Sequence, residues 1–396
     1  SPRLRFSRQR LKRSSTCCRL RPCTLACSHF LVRSIACPLH RVNLDAEVIQ
    51  TIDRIHAGLP EGHAIAARLP RERVTPGLFS GLAGIAWVSL LAEQEFGYTF
   101  AGSFFQDIDR YLCELVESGK LLGHAELMEG LAGLGVYALR RTNAPLGRRL
   151  LNAVVAQILL SSQSEEDGTI YWPTMPNYMP DPSNAHRYST GYRDLGMAHG
   201  MVGIISFLVR CLPYVGEEQE LLPAISSGWA WLARATLSSG ISYFAEEQVE
   251  ARQGWCYGAP TLFLLLHQLR NARVIRDSSI ALERECVRII SRPASLGGAL
   301  DLGLCHGTAG LSLLYRRIAV ATGNDDWRRQ EISYSRVTGH NSLRMLSELG
   351  GVFFLDPTSG RWIESKGMLN GTVGVGMCQI ELDIGVNPGW REFLLL

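Results

Sequence analysis

Six copies of one glycine-rich turn, spread from residue 77 to residue 374, dictate a repeat architecture for most of this chain. The copies are Gly77-Leu-Phe-Ser-Gly81-Leu-Ala-Gly84, Leu-Met-Glu-Gly130-Leu-Ala-Gly133, Gly196-Met-Ala-His-Gly200-Met-Val-Gly203, Gly254-Trp-Cys-Tyr-Gly258-Ala-Pro-Thr261, Gly303-Leu-Cys-His-Gly307-Thr-Ala-Gly310 and Gly367-Met-Leu-Asn-Gly371-Thr-Val-Gly374. Their central glycines are 49, 70, 58, 49 and 64 residues apart, a spacing that fits two helices and their loops per repeat.

The run after each central glycine is apolar nearly all round, as in Ile85 to Leu91, Ile204 to Val209 and Leu311 to Ala319, and predicts a buried inner helix. The stretches between, such as Leu150 to Leu160, Ala224 to Ala235 and Ser279 to Ile290, carry one apolar face and predict outer helices packed on the inner ones. The expected fold is therefore all-α, an α/α toroid with its glycine turns gathered at one end around a central cavity. Glycine at these points lets backbones approach closely and permits a turn with positive φ. In the first, second and sixth copies that packing role is the preferred reading.

Charge divides the chain in two. Residues 1–44 hold ten Lys and Arg, no Asp or Glu, and five of the eleven cysteines, namely Cys17, Cys18, Cys23, Cys27 and Cys37. This segment lacks hydrophobic periodicity and is set apart as disordered or foreign to the fold; its composition also suits an organellar transit peptide. Residues 45–396 carry 30 basic against 37 acidic residues, which argues against a nucleic-acid face. No apolar run approaches the roughly 18 to 20 residues of a membrane span. The other six cysteines are scattered without a disulfide framework, so a reducing, cytoplasmic setting is expected.

Three turns carry chemistry-bearing residues at their variable positions: His199, Cys256, and the pair Cys305-His306. Two thiols and an imidazole favour zinc over magnesium or calcium, and three protein ligands leave a fourth position open, as in catalytic sites. Cys305 and His306 can share one ion only on the turn before their helix, where Gly307 supplies the freedom. The competing reading is three inert residues at helix starts. His199, read alone, fits a buried histidine bonded to a backbone carbonyl; in the repeat it is expected to face the same cavity and is suited to acid/base work. Arg252 and Tyr257 flank Cys256 closely enough to stabilise negative charge or donate a hydrogen bond, or else serve as a solvated arginine and a packed aromatic.

Taken together, Gly191-Tyr-Arg-Asp-Leu-Gly-Met-Ala-His199-Gly, Arg252-Gln-Gly-Trp-Cys256-Tyr-Gly-Ala-Pro and Leu304-Cys305-His306-Gly-Thr-Ala-Gly310 resemble the signature motifs of the lanthionine synthetase C-like proteins, the lanthipeptide cyclases. The resemblance runs from about residue 45 to the C-terminus. It implies an α/α toroid of seven helical hairpins, one more than the glycine copies found. It implies one zinc per chain held by Cys256, Cys305 and His306, with His199 as acid/base and Arg252 near a developing enolate. The implied reaction is thia-Michael addition: a cysteine thiol of a dehydrated precursor peptide attacks dehydroalanine or dehydrobutyrine and closes a lanthionine or methyllanthionine ring. A dehydratase and a peptide transporter are the implied partners, at the inner membrane face.

Two positions depart from the family pattern. Glu126 stands where an aspartate is usual, either reaching one methylene further toward His199 or serving as a solvated helix-cap carboxylate, and Thr261 replaces a glycine at a helix start. Ser161 to Asp194, rich in Pro, Tyr and Trp, is expected to be a long loop, either a lid that contacts the peptide or a packed connection. The ending from Trp390 to Leu396 resembles the stand-alone cyclases, while the Ser1 start also allows a C-terminal piece of a bifunctional synthetase. Two other functions remain: a non-cyclising zinc toroid that binds glutathione or other thiols or acts as a scaffold, and an α/α-toroid glycosidase, which would need paired carboxylates in the cavity.

Overall fold

The computed structural model describes residues 75–97, 99–100, 102–179, 187–215, 218–275, 279–356, 359–384 and 389–396. The basic, cysteine-rich segment 1–44 lies outside these residues. Six inner helices follow the six glycine turns: α1 (Leu82–Phe96), α3 (Leu131–Arg140), α5 (Met201–Cys211), α7 (Ala259–Asn271), α9 (Thr308–Thr322) and α11 (Thr372–Ile384). Between them run the outer helices α2 (Phe104–Glu117), α4 (Pro145–Leu160), α6 (Glu218–Ser239), α8 (Ile280–Ile290) and α10 (Asp326–Leu349). Each inner helix packs on the next inner helix, and each of the first five packs on the outer helix that follows it.

The pattern of side chains explains the two layers. In α5, Met201 to Leu208 is buried without interruption, so no face of it is left for water. In α2 the buried positions are Phe104, Ile108, Asp109, Leu112, Cys113 and Val116, which form one stripe at helical spacing. The expected all-α toroid is thus present, and the described residues contain five of its hairpins and a sixth inner helix. The seventh hairpin has no counterpart among the described residues. Phe393 packs edge-on to Phe79 and Trp87, with ring centroids 4.6 and 5.1 Å away, and Trp255 Nε1 donates to the Leu394 carbonyl at 3.0 Å.

Close approach, more than positive φ, is what demands glycine at the turns. A Cβ at Gly81, Gly130, Gly200, Gly307 or Gly371 would lie closer than 3.0 Å to backbone atoms of its own turn. Among the six central glycines only Gly258 has positive φ, at 99°. Its turn is the one with Pro260, which has no N–H to give, and with Thr261 in place of the third glycine. The altered turn still starts α7, so Thr261 is accommodated, buried and bonded to the Gly258 carbonyl at 3.4 Å.

Two small antiparallel hairpins interrupt the helices. β1 (Gln163–Ser164) pairs with β2 (Ile170–Tyr171), and β3 (Phe353–Asp356) pairs with β4 (Arg361–Glu364). The first lies within the connection expected to be a long loop, so that segment carries its own structure: Trp172 is buried and donates from Nε1 to the Ile158 carbonyl at 2.7 Å. The second is pinned to the ring where Leu355 N–H donates to Asp301 Oδ2 at 3.1 Å.

Candidate active site

Backbone hydrogen bonds stitch the turns to one another in a regular way. The N–H groups of Leu78 and Phe79 donate to the Met128 carbonyl; those of Met197 and Ala198 to Cys256; those of Trp255 and Cys256 to Cys305; and those of Leu304 and Cys305 to Leu369, at 2.8 to 3.4 Å. Each acceptor sits two residues before its own central glycine. In turns 2, 3 and 4 the residue just before the central glycine looks back at the preceding turn. Glu129 receives a bond from Thr75 Oγ1, His199 bonds Glu126, and Tyr257 bonds Asp194.

The same rule carries His306 back to Cys256. Cys256, Cys305 and His306 place their ligand atoms within 4.8 Å of one another. Cys256 and His306 are buried, with 3% and 2% of their surfaces exposed, and neither ring nitrogen of His306 has a hydrogen-bond partner. An imidazole stripped of water and left unbonded is costly unless something else satisfies it, and a metal ion beside two thiols does so. The donor set suits zinc. His306 Nε2 lies 3.8 Å from Asp301 Oδ2, beyond hydrogen-bond distance but near enough for the carboxylate's charge to bear on the imidazole. The neighbouring Cys305 thiol holds the Cys256 thiol well below its usual pKa; burial opposes this, and His306 and Arg252 reinforce it.

His199 Nδ1 and Glu126 Oε2 are 2.7 Å apart. Burial pushes the imidazole toward neutrality, but the bond to Glu126 and the charges of Glu126, Asp194 and Cys256 outweigh it, and its pKa is raised. Burial likewise opposes the Glu126 charge, yet His124 and His199 hold its pKa well below the usual carboxylate range. The Met128 and Glu129 N–H groups also donate to this carboxylate, at 2.9 and 2.6 Å. The second glycine copy therefore does more than pack.

Arg252 stacks its guanidinium on Tyr243, 5.7 Å from the ring centre, and its buried Nε has no hydrogen-bond partner. Burial works against its charge, but the Cys256 and Cys305 thiols raise its pKa overall. The Tyr257 hydroxyl donates to Asp194 Oδ2 at 2.6 Å, so this phenol is engaged on the side of turn 3. Asp194 also accepts from the Gly196 N–H at 2.7 Å, and burial pushes its pKa up to about 6.

His124, Asp194 and Asp301 are site residues that motif reading passed over. All three stand six residues before a central glycine, and aligning the six turns at that position would have exposed them. The same alignment shows Glu126 in the place that glycine holds in the other five copies, at 77, 196, 254, 303 and 367.

A helical toroid with a two-thiol, one-imidazole cluster beside a carboxylate-bonded histidine defines a class, and residues 43–395 match the family model of the lanthionine synthetase C-like proteins: the chain belongs to that family. Among relatives, the nisin biosynthesis protein NisC of Lactococcus lactis subsp. lactis is 23% identical over 352 residues, covering 82% of this chain and 78% of that protein. The solved structure of a nisin cyclase superposes with a TM-score of 0.68 at 17% identity, covering 95% of this chain and 92% of the other. That likeness concerns the fold. Among the described residues, no helix is long and apolar enough to cross a membrane.

Proposed function

We propose that this protein is a zinc-dependent lanthipeptide cyclase whose catalytic domain is residues 45–396. The observation that carries the reading is the meeting, on four successive turns, of Cys256 with Cys305 and His306, and of His199 with Glu126. Zinc held by the two cysteines and His306 would supply Lewis-acid chemistry, lowering the pKa of a substrate thiol so that it is nucleophilic at neutral pH. The protein's own groups then serve the addition. As the substrate sulfur bonds to the β-carbon of dehydroalanine or dehydrobutyrine, the alkene electron pair moves toward the adjacent carbonyl. Arg252, whose Nε has no other partner, stabilises that negative charge. His199 has Nδ1 committed to Glu126, which leaves Nε2 to deliver a proton to the α-carbon. Tyr257 is assigned to the site through its bond to Asp194, where it steadies the turn beside Cys256.

The substrate must already contain a dehydrated residue, so a dehydratase acts before this protein on the same precursor peptide. A cytoplasmic position, peripheral at the inner membrane face and close to a peptide transporter, fits such a sequence of steps. The deciding experiment incubates the zinc-loaded protein with a dehydrated lanthipeptide precursor. Ring closure leaves the mass unchanged but removes thiols, so it is read as loss of N-ethylmaleimide adducts. Closure by the parent and its absence in His199→Ala, with zinc retained, support the reading. One zinc per chain with no closure on any dehydrated peptide would instead favour a thiol-binding role.

A further inference from the structure

Turn 2 is built differently from turns 3, 5 and 6 at two positions. Six residues before the central glycine, Asp194, Asp301 and Ser365 use a side-chain oxygen to accept the N–H of the glycine two residues on, at 2.7, 2.7 and 3.2 Å. Turn 2 has His124 at that position, and Glu126 where the glycine would be. The His124 backbone still does the ordinary work, its carbonyl accepting the Leu131 N–H at 2.8 Å. Its side chain is thereby released from building the turn. His124 Nε2 lies 3.2 Å from Glu126 Oε1, while His199 Nδ1 holds the other oxygen of the same carboxylate. The His124 ring lies flat against Tyr178, with centroids 4.1 Å apart and planes 4° from parallel. Tyr178 is itself tied down, its hydroxyl donating to the Lys120 carbonyl at 3.2 Å.

A glutamate carboxylate turns about one more bond than an aspartate and must be fixed to be useful to a partner. The Met128 and Glu129 N–H groups anchor it in place, one on each oxygen. His124 Nε2 faces Oε1, the oxygen that His199 does not hold. We propose that His124 is a positioning residue for the acid/base pair: it holds Glu126 Oε1 so that Oε2 stays aimed at His199 Nδ1, and stacking on Tyr178 holds His124 in turn. This rests on the reading of His199 as the proton donor.

Two substitutions separate the bond from the stack. His124→Phe keeps a ring against Tyr178 and removes the donor; His124→Gln places an amide N–H near the same point. In the zinc-loaded full chain, His124→Phe is expected to lower kcat for cyclisation about tenfold, with KM and zinc content unchanged, and His124→Gln to recover most of it. In a Glu126→Gln background the further loss from His124→Phe should be under about twofold, because the two residues act as one unit. A second readout needs no activity. In zinc-free protein, the low-field His199 Nδ1–H resonance, assigned by its loss in His199→Gln, should be sharp in the parent and in His124→Gln and broadened in His124→Phe. An unchanged kcat and resonance in His124→Phe would overturn the proposal, as would an undiminished loss in the Glu126→Gln background or a parent lacking the resonance. If the parent closes no ring at all, the cyclase reading fails while the resonance still decides whether His124 positions the pair.

Discussion

Glu126 and His199 bridge the one place among the described turns where the backbone stitching is replaced by side chains. Turns 1 and 2, 3 and 4, 4 and 5, and 5 and 6 are joined by paired N–H groups on a carbonyl. At the boundary of turns 2 and 3 the Met128 N–H is instead turned onto the Glu126 carboxylate, and the link across is the 2.7 Å bond from Glu126 Oε2 to His199 Nδ1. A charge-assisted bond of this kind is worth about 1.5–3 kcal/mol. It keeps the seam closed through Nδ1 and leaves Nε2 of the imidazole uncommitted to Glu126.

That bond sets the pH dependence. The His199 pKa is raised, so the protonated donor persists to higher pH than a free imidazole, and cyclisation should fall as pH rises through that raised value. Glu126→Gln removes the main cause of the elevation and leaves only the charges of Asp194 and Cys256 to oppose burial. Its basic limb should move to lower pH, with kcat down about 10- to 100-fold. A kcat–pH profile of both proteins checks this; superimposable basic limbs would show that His199 is not the group titrating.

Metal binding should depend on all three ligands and be tuned by a fourth residue. Cys256→Ala, Cys305→Ala and His306→Ala should each lose zinc, measured by elemental content after dialysis against a weak chelator. Asp301→Asn keeps an oxygen for the Gly303 N–H, bonded at 2.7 Å in the parent, but removes the charge 3.8 Å from His306 Nε2. It should weaken zinc about 10- to 100-fold in a competition titration, and it should also lower the thermal midpoint of the zinc-free protein, because the amide nitrogen cannot accept the Leu355 N–H that Asp301 Oδ2 accepts at 3.1 Å.

Tyr257→Phe tests a buried carboxyl. Burial pushes the Asp194 pKa up to about 6 from an ordinary 3.8, so the folded state holds this proton more tightly than the unfolded chain. Stability from this group is thus full at low pH and falls as pH rises from about 4 to about 6. The Tyr257 hydroxyl is the donor that eases the ionised form, at 2.6 Å. Its removal should cost about 1–3 kcal/mol in urea unfolding, more at pH 7.5 than at pH 5. An equal loss at both values would mean that Asp194 does not change charge in this range.

Much of this arrangement was legible because two signals coincide. Glycine marks each helix start, and the all-round apolar run after it can only be an inner helix, so α1, α5 and α9 contain the expected inner segments. One-faced spacing did the same for α4, α6 and α8. Cys256, Cys305 and His306 could be grouped from the sequence because the two cysteines stand at matching positions of adjacent repeats, with His306 next to the second. What escaped depended on contacts that spacing does not encode. β3 and β4 fall in a short stretch between a helix and a turn, where their Phe-Phe-Leu and Trp-Ile segments are too brief to show a period. His124 is a lone imidazole until Glu126 folds back beneath it.

Close packing at the turns gives a prediction that is independent of chemistry. Gly310 lies in the first turn of α9, and a Cβ there would meet the Leu304 carbonyl far inside the 3.0 Å that real contacts respect. The obstacle is backbone, fixed because the Leu304 N–H is bonded at 2.8 Å to the Leu369 carbonyl of the next turn. Relief would require α9 to shift against the stitching that also orients Cys305 and His306. Gly339 sits inside α10 with nothing within 4 Å of the same added atom, and there alanine only gains helix propensity. Gly310→Ala should therefore destabilise by about 2–4 kcal/mol and weaken zinc, whereas Gly339→Ala should stabilise by about 0.5–1 kcal/mol and leave zinc alone. Chemical denaturation with parallel zinc titration measures both. A Gly310→Ala protein as stable as the parent would show that the turns can yield, and that glycine is not there for want of room.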